Sequence, residues 1–216
     1  MVARAVVAID GIDGSGKSVL ADRLMASLRA AGDGAVLLRV DDFRRPVDWS
    51  RGDKSELDLY YDDYYDLARL DGCLRAFRDG AGAIEVPAWD SARERTGDGR
   101  RVVLDGAAVA LVEGVFVQRM PALADSAVIY VQSSPAEARR RILARDVARG
   151  RAAADVERRV AERYFPAQRR YEAACAPAQR AAAVIDNEDP RAPHAVRLET
   201  DRLPPPVARA LAALLS

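Results

Sequence analysis

A short glycine-rich stretch near the start of the chain restricts its fold more than any other feature. The stretch reads Gly11-Ile-Asp-Gly-Ser-Gly-Lys-Ser18 and matches the pattern G-x-x-x-x-G-K-[ST] at every fixed position. An apolar run at residues 5–9 precedes it and predicts a buried strand, while apolar residues at helical spacing from Leu20 to Leu28 follow it. In this strand–loop–helix context, the glycines allow the backbone N–H groups to face a phosphate at the helix N-terminus.

Lysine is rare in this chain, so the lysine inside the loop is informative. Only Lys17 and Lys54 are lysines among the 33 basic residues. A compact ammonium at position 17 is expected to reach the β- and γ-phosphates of a nucleotide, and Ser18 is expected to ligate Mg²⁺. The residues of the loop predicted to bind ATP are Gly11, Asp13, Gly14, Ser15, Gly16, Lys17 and Ser18.

The nucleotide is expected to be ATP rather than GTP. Guanine is usually recognised by the motif N-K-x-D, and Lys54, the other lysine of the chain, follows Asp53 instead of asparagine. A GTP-dependent switch is therefore disfavoured, and the sequence shows no element specific to a motor.

Length and composition exclude several classes of protein. The chain has 216 residues, 50% of them hydrophobic, which predicts a single domain over residues 1–216. Its formal net charge of zero argues against nucleic-acid partners and anionic membranes, and no apolar run approaches the roughly 20 residues of a membrane span. The cysteines, Cys73 and Cys175, have no metal-binding spacing, and the single histidine, His194, disfavours a histidine zinc site or a Ser-His-Asp triad. A reduced cytoplasmic protein without a signal peptide is expected.

Five short apolar runs alternate with helical patterns, which predicts an α/β fold with a mostly parallel five-stranded sheet and helices on both faces. The predicted strands are residues 5–9, 35–40, 107–112, 127–131 and 182–185. Helices are expected after the loop, around residues 64–77, from a capping box at Ser134, and at residues 204–215. Residues 83–86 and 101–104 predict a hairpin-like excursion. Ligands collect beyond the carboxyl ends of parallel strands, so the polar pairs at those ends should meet: Asp10-Gly11, Asp41-Asp42, Glu113-Gly114 and Asp186-Asn187.

The two carboxylates after the second strand are candidates for a general base. A carboxylate near the γ-phosphate can accept the proton of an attacking hydroxyl, although a loop aspartate can equally cap a turn. Position alone does not choose between Asp41 and Asp42.

The order of these motifs resembles the uridine kinase, phosphoribulokinase and pantothenate kinase group of P-loop kinases. The likeness extends from about residue 6 to residue 190, through GxDGSGKS, then Asp41-Asp-Phe43, then Glu113-Gly114, then an R-D-x-x-x-R-G segment beginning at Arg145. The resemblance implies a kinase that transfers the γ-phosphoryl group of ATP to a hydroxyl of a small molecule. It implies that Asp41 is the catalytic base and acts with Lys17, and that Ser18 and Glu113 hold Mg²⁺.

An arginine-rich segment, residues 139–160, is expected to form a lid over the triphosphate. Arg141, Arg145 and Arg149 are four residues apart and so share one face of a helix. In an arginine-rich chain such a face can also be merely solvated, but the resemblance implies that these arginines bind ATP. By the same resemblance Asn187 flanks the adenine.

The acceptor pocket is expected among the loops after the second and third strands. Its candidate residues are Asp41, Phe43, Arg44, Tyr61, Asp63, Trp89 and Arg93. Here the chain departs from uridine kinases: Arg44 replaces an aromatic residue, Ser91 and Glu94 replace an aromatic residue and a histidine, and the ribose-binding carboxylate has no aligned counterpart unless Asp62 or Asp63 takes its place. The aromatic residues of the pocket can stack on a base or belong to the core.

Three functional alternatives therefore stay open. The first is a kinase of a nucleoside such as uridine or cytidine, and the second is a kinase of pantothenate, a sugar phosphate or a specialised metabolite. The third is an ATP-binding regulatory protein without turnover, which the departures in the acceptor pocket would permit but which has no need of a base. The sequence is also compatible with a homo-oligomer.

Overall fold

The core of the protein is a six-stranded sheet. The computed structural model describes residues 4–50, 52–90 and 93–215. The described residues form eight strands, six of which make up this sheet. They are β1 (Ala5–Asp10), β2 (Ala35–Arg39), β3 (Ala83–Asp90), β4 (Arg95–Val103), β5 (Val109–Glu113), β6 (Ala127–Gln132), β7 (Ala183–Asp186) and β8 (His194–Leu198). The sheet has the order β2-β5-β1-β6-β7-β8, and its first five strands are parallel.

The expectation of five strands is wrong, because β8 adds a sixth. This strand pairs antiparallel with β7 at the edge of the sheet. Its sequence HAVRL is mostly exposed, so it lacks the apolar run by which the five buried strands are recognised. The predicted parallel core is confirmed.

The predicted excursion is a separate antiparallel hairpin of β3 and β4. The pairing is irregular between Val86 and Ala88, on either side of Pro87. Proline has no N–H to donate to a ladder, which accounts for the irregularity at this position.

Helices cover both faces of the sheet, as predicted. They are α1 (Lys17–Ala30), α2 (Glu56–Asp58), α3 (Leu67–Arg78), α4 (Pro135–Ala148), α5 (Ala153–Arg159), α6 (Phe165–Cys175), α7 (Pro177–Arg180) and α8 (Pro205–Leu215). Val7 and Ile9 of β1 pack with α1 and α8, whereas Val6 and Ala8 pack with α3 and α6. This division follows from the alternation of side chains along a strand.

The helix that carries the arginine segment begins where its capping signal predicts. The Ser134 hydroxyl accepts a hydrogen bond from the Glu137 N–H at 3.1 Å, and Pro135 occupies the first turn of α4. The helix ends at a turn in which Gly150 has φ +87°. In the described parts of the chain, no helix combines the length and the apolar character needed to cross a bilayer.

Candidate active site

The carboxyl ends of the parallel strands meet at one edge of the sheet, as predicted. Glu113 at the end of β5 is in register with Ile9 of β1 and Arg39 of β2. Asp186 at the end of β7 is in register with Gln132 of β6. The glycine-rich loop and the polar strand ends therefore lie together.

The glycine-rich loop adopts a conformation that two of its glycines make possible. Gly14 and Gly16 have φ of +79° and +101°, which side-chain-bearing residues rarely adopt. A Cβ at Gly14 would lie 2.6 Å from the Ala138 carbonyl oxygen of α4, and a Cβ at Gly16 would overlap the Asn187 side-chain nitrogen. The loop is thus closely packed between α4 and the segment after β7.

Two residues predicted to bind ATP hold the loop through its carbonyl oxygens. The Arg141 guanidinium donates to the carbonyl oxygens of Gly14 and Ser15 at 3.4 and 3.3 Å, and to the Asn187 carbonyl at 2.7 Å. The Asn187 side-chain nitrogen donates to the Ser15 carbonyl at 2.6 Å. These contacts tie the loop through its carbonyl oxygens to α4 and to the segment after β7, while the Ser15 N–H donates within the loop to the Ile12 carbonyl at 3.2 Å.

Positive charge is concentrated where the loop enters α1. Gly16 provides no side-chain cap, and the first turn of the helix has no acidic residue, so the positive end of the helix dipole is not neutralised locally. The Lys17 ammonium is nearly buried and donates to the Ile12 carbonyl at 2.7 Å across the loop. A helix N-terminus and an ammonium at one point are suited to bind phosphate oxygens.

Oxygen donors suited to Mg²⁺ lie next to this candidate phosphate site. The Ser18 hydroxyl donates to Glu113 Oε1 at 2.9 Å, and Arg39 donates to Glu113 Oε2 at 3.0 Å. Burial raises the pKa of Glu113, whose residue is only 6% exposed, while the Lys17 charge opposes the rise. Among the described residues no cluster of three histidine, cysteine or acidic residues could bind a metal alone. One hydroxyl and one carboxylate fit Mg²⁺, which usually keeps waters and phosphate oxygens as its other ligands.

The structure distinguishes the two aspartates that follow β2. The Asp41 side chain is 62% exposed on a cavity wall, where the Arg44 guanidinium lies 2.6 Å from Asp41 Oδ2. Asp42 points to the hairpin instead and pairs with Arg100 at 3.1 Å. Phe43, a predicted acceptor residue, is fully buried in the core.

The cavity beside Asp41 has a volume of about 520 Å³ and extends to the glycine-rich loop, where Asp13 lies on its wall. The wall contains six aromatic residues: Trp49, Tyr60, Tyr64, Tyr65, Trp89 and Tyr164. The tyrosines pack against one another with ring centroids 4.9–5.7 Å apart, so they belong to the core as well as to the cavity.

Arginines from the predicted lid also line the cavity. Arg145 and Arg149 both line it, as does Arg151. The buried Asp146 carboxylate accepts hydrogen bonds from Arg145 at 2.7 Å and Arg151 at 2.9 Å. Burial raises the pKa of Asp146, but these two arginines outweigh it and hold the pKa below its usual value. Sequence reasoning missed the role of Asp146, although the R-D-x-x-x-R-G segment contains it.

Several predicted acceptor residues lie away from the cavity wall. The Tyr61 ring is covered by the guanidinium groups of Arg119 and Arg170, 3.9 and 4.3 Å from its centroid. Asp63 pairs with Lys54 at 2.6 Å, and Arg93 pairs with Asp90 at 2.8 Å.

Of the other residues predicted to lie near the acceptor, some line the cavity and some do not. Trp89, Arg44 and Glu94 do line the cavity. Asp62, a candidate for the missing carboxylate, pairs with Arg119 at 3.2 Å. Ser91 lies outside the described residues.

Comparison with known proteins finds relatives among solved structures. No family model matches the chain, and no curated protein does so. A protein named as a possible uridine kinase from Bacillus stearothermophilus matches with a TM-score of 0.68 and 23% identity, covering 85% of this chain and 89% of its own. A structure assigned as a fructose transport system kinase from Silicibacter sp. TM1040 matches with a TM-score of 0.66 and 23% identity, covering 80% and 86%. Phosphoribulokinase from Rhodobacter spheroides matches with a TM-score of 0.61 and 15% identity, covering 86% and 71%.

The chain has the fold of the P-loop kinases. The resemblance stated from the sequence is thereby confirmed at the level of the fold. At 15–23% identity the similarity to these P-loop kinases extends to the fold alone and not to the acceptor.

Proposed function

We propose that this protein is an ATP-dependent kinase that transfers a phosphoryl group to a hydroxyl of a small molecule. The observation that carries the proposal is the position of Asp41 on a cavity that is also lined by Asp13 of the glycine-rich loop and by arginines at and beyond the end of α4. A base, a phosphate site and space for an acceptor therefore meet at one place.

The residues of this site have complementary roles in the proposed reaction. The loop N–H groups and Lys17 bind the phosphates of ATP, and Ser18 with Glu113 would hold Mg²⁺. Bound Mg²⁺ would neutralise charge on the β- and γ-phosphates. Arg145 and Arg149 on the cavity wall would lie against the transferring group when the segment 139–160 closes.

Asp41 accepts the proton as the acceptor oxygen attacks. The acceptor oxygen forms a bond to the γ-phosphorus, the bond from that phosphorus to the ADP oxygen breaks, and the hydroxyl proton moves to the Asp41 carboxylate. The Arg44 guanidinium, 2.6 Å away, fixes the orientation of this carboxylate. Arg141 and Asn187 act by holding the loop rather than by touching the transferred group.

The acceptor is the open part of the proposal. The resemblance to uridine kinases favours a nucleoside such as uridine or cytidine. Non-nucleoside acceptors, namely pantothenate, sugar phosphates and specialised metabolites, are favoured by the departures at Arg44 and Glu94, both of which line the cavity. An ATP-binding regulatory protein is disfavoured, because such a protein needs neither a base nor a cavity beside it.

The test is ADP release from Mg·ATP across a panel of acceptors with two matched variants. The panel contains uridine, cytidine, other nucleosides, pantothenate, D-glycerate and pentose phosphates. Asp41→Asn should lower kcat by about 10²–10⁴-fold, the usual contribution of a general base, and should leave ATP affinity nearly unchanged. Asp42→Asn should keep most of the activity, because Asp42 pairs with Arg100 away from the cavity.

Two outcomes would contradict the proposal. If Asp42→Asn abolishes turnover and Asp41→Asn does not, the base is misassigned. If the wild-type protein binds ATP and phosphorylates no acceptor, the result would contradict the kinase and favour an ATP-binding regulatory protein.

A further inference from the structure

A carboxylate of the glycine-rich loop is held in a fixed orientation on the wall of the acceptor cavity. Asp13 Oδ2 accepts a hydrogen bond from the Tyr60 hydroxyl at 2.9 Å and another from the Gln168 side-chain nitrogen at 3.2 Å. Tyr60 follows α2 and Gln168 lies on α6, so two separate elements hold one oxygen of Asp13. No hydrogen bond to its Oδ1 is found within residues 4–50, 52–90 and 93–215.

The hydroxyl that holds Asp13 is part of a buried chain that leads toward Asp41. The hydroxyl oxygens of Tyr60 and Tyr65 are 3.3 Å apart, and the backbone of Tyr65 bridges to Arg44. Because Tyr60 donates its one proton to Asp13, Tyr65 is the donor in the pair. Burial raises the pKa of both tyrosines well above 10, so they remain neutral donors. Asp13 and Asp41 thus both line the cavity and are connected through Tyr60, Tyr65 and Arg44.

The arginines of the cavity do not identify an acidic acceptor, although they are numerous. Arg44 pairs with Asp41, and Arg145 and Arg151 share Asp146. Asp146 neutralises only one of its two arginines, and the remaining charge, together with Arg149 on the cavity wall, serves the transferring phosphoryl group in the proposed reaction. The Asp13 carboxylate, in contrast, forms no ion pair among the described residues, and its hydrogen-bond donors Tyr60 and Gln168 are neutral.

A carboxylate in this position is suited to an acceptor and not to ATP. An ionised carboxylate only accepts hydrogen bonds and repels phosphate oxygens at short range. Its natural partner in the cavity is a hydroxyl group. We infer that Asp13 binds a second hydroxyl of the acceptor, so that the substrate is a polyhydroxylated compound with one hydroxyl at Asp41 and another at Asp13. This inference rests on the proposed function and assigns to Asp13 a role in acceptor specificity, where the sequence indicated ATP binding.

The experiment compares acceptors with analogues that lack one hydroxyl. The pairs are uridine with 2′-deoxyuridine and 3′-deoxyuridine, and D-glycerate with 3-hydroxypropionate. Asp13→Asn should raise KM for the polyhydroxylated member about 10–100-fold, the effect of losing one hydrogen bond to a charged group, with a smaller change in kcat. It should have little further effect on the analogue that lacks the second hydroxyl, because the partner of Asp13 is already missing.

Two further variants control for folding and for general charge effects. Tyr60→Phe removes the donor that orients Asp13 and should shift KM in the same direction by a smaller factor. Asp125→Asn changes an exposed aspartate before β6, at the opposite edge of the sheet, and should change nothing. Affinity for a non-hydrolysable ATP analogue should be the same in all variants within about twofold.

Binding is also measured without turnover. Trp49 and Trp89, the two tryptophans of the chain, both line the cavity and so should report binding of each compound by fluorescence. The inference is overturned if Asp13→Asn weakens ATP binding as much as acceptor binding, or affects parent and deoxy analogue equally. It is also overturned if no polyhydroxylated compound binds or reacts. Failure of the proposed function differs from these results, because it appears as turnover that Asp41→Asn does not reduce, or as binding without turnover.

Discussion

Replacing Gly16 by alanine tests whether the loop conformation depends on tight packing against Asn187. Gly16 has φ +101°, and a Cβ there would overlap the Asn187 side-chain nitrogen. Gly32 is a matched control in the same chain. It also has a positive φ, +76°, but a methyl group there would meet no atom within 4 Å, and the residue lies just beyond the far end of α1.

The expected loss of stability has a shared part and a specific part. Alanine in the left-handed region costs about 1–2 kcal/mol in either variant. At Gly16 the methyl group must also displace Asn187 and break its 2.6 Å hydrogen bond to the Ser15 carbonyl, a loss of about 1 kcal/mol. Gly16→Ala should therefore cost about 2–3 kcal/mol in total. Its Tm should fall about 2–4 °C further than that of Gly32→Ala, from the usual scaling for a chain of this size.

The assay is urea and thermal unfolding of the two single variants, Asn187→Ala and the double variant Gly16→Ala/Asn187→Ala. In the Asn187→Ala background the methyl group at position 16 meets no amide, so its cost should fall to that of Gly32→Ala. ATP should raise the Tm of Gly32→Ala as much as that of the wild type, and that of Gly16→Ala less. Equal losses for Gly16→Ala and Gly32→Ala, or strictly additive effects in the double variant, would refute the reasoning.

Two predictions concern the response to pH. Because Arg145 and Arg151 hold the pKa of Asp146 below its usual 3.8 against the effect of burial, Asp146 stabilises the fold above about pH 3.8 and loses this contribution as pH falls through the lower folded-state value. Asp146→Asn should therefore flatten the acid side of the curve of urea midpoint against pH, and a curve parallel to that of the wild type would contradict this. Burial raises the pKa of Glu113 above 4.5 and Arg39 opposes the rise, so Arg39→Met should move the acid limb of the kcat/KM profile to higher pH. An unmoved limb would show that Glu113 is not the group that titrates.

Much of the fold could be predicted because its signals are local. Buried strands appear as apolar runs, and α4 begins at the Ser134 capping box. The exception is β8, an exposed edge strand. Its own residues have no apolar run that would predict a strand, and it forms one because it pairs with β7.

The candidate site was predictable only in part, because its contacts join residues far apart in the chain. The motif and the strand ends predicted a phosphate site with Ser18, Glu113 and the pair Asp41-Asp42, and the structure brings these residues to one edge of the sheet. They could not show that Asp42 pairs with Arg100, 58 residues away, and therefore points away from the cavity. Nor could they show that Tyr61 and Asp63 are bound by neighbouring charged groups away from it.

The sequence by itself determined the glycine-rich loop, since its glycines, the lysine and the helix N-terminus all lie within eight consecutive residues. Only the tertiary structure decided which side chains share the cavity beside Asp41. Gln168 reaches Asp13 across 155 residues of chain, and Arg145 and Arg151 converge on Asp146 through the turn that ends α4. The direction of a side chain in such a cavity depends on the partners that packing brings to it, and those partners have no fixed spacing in the sequence.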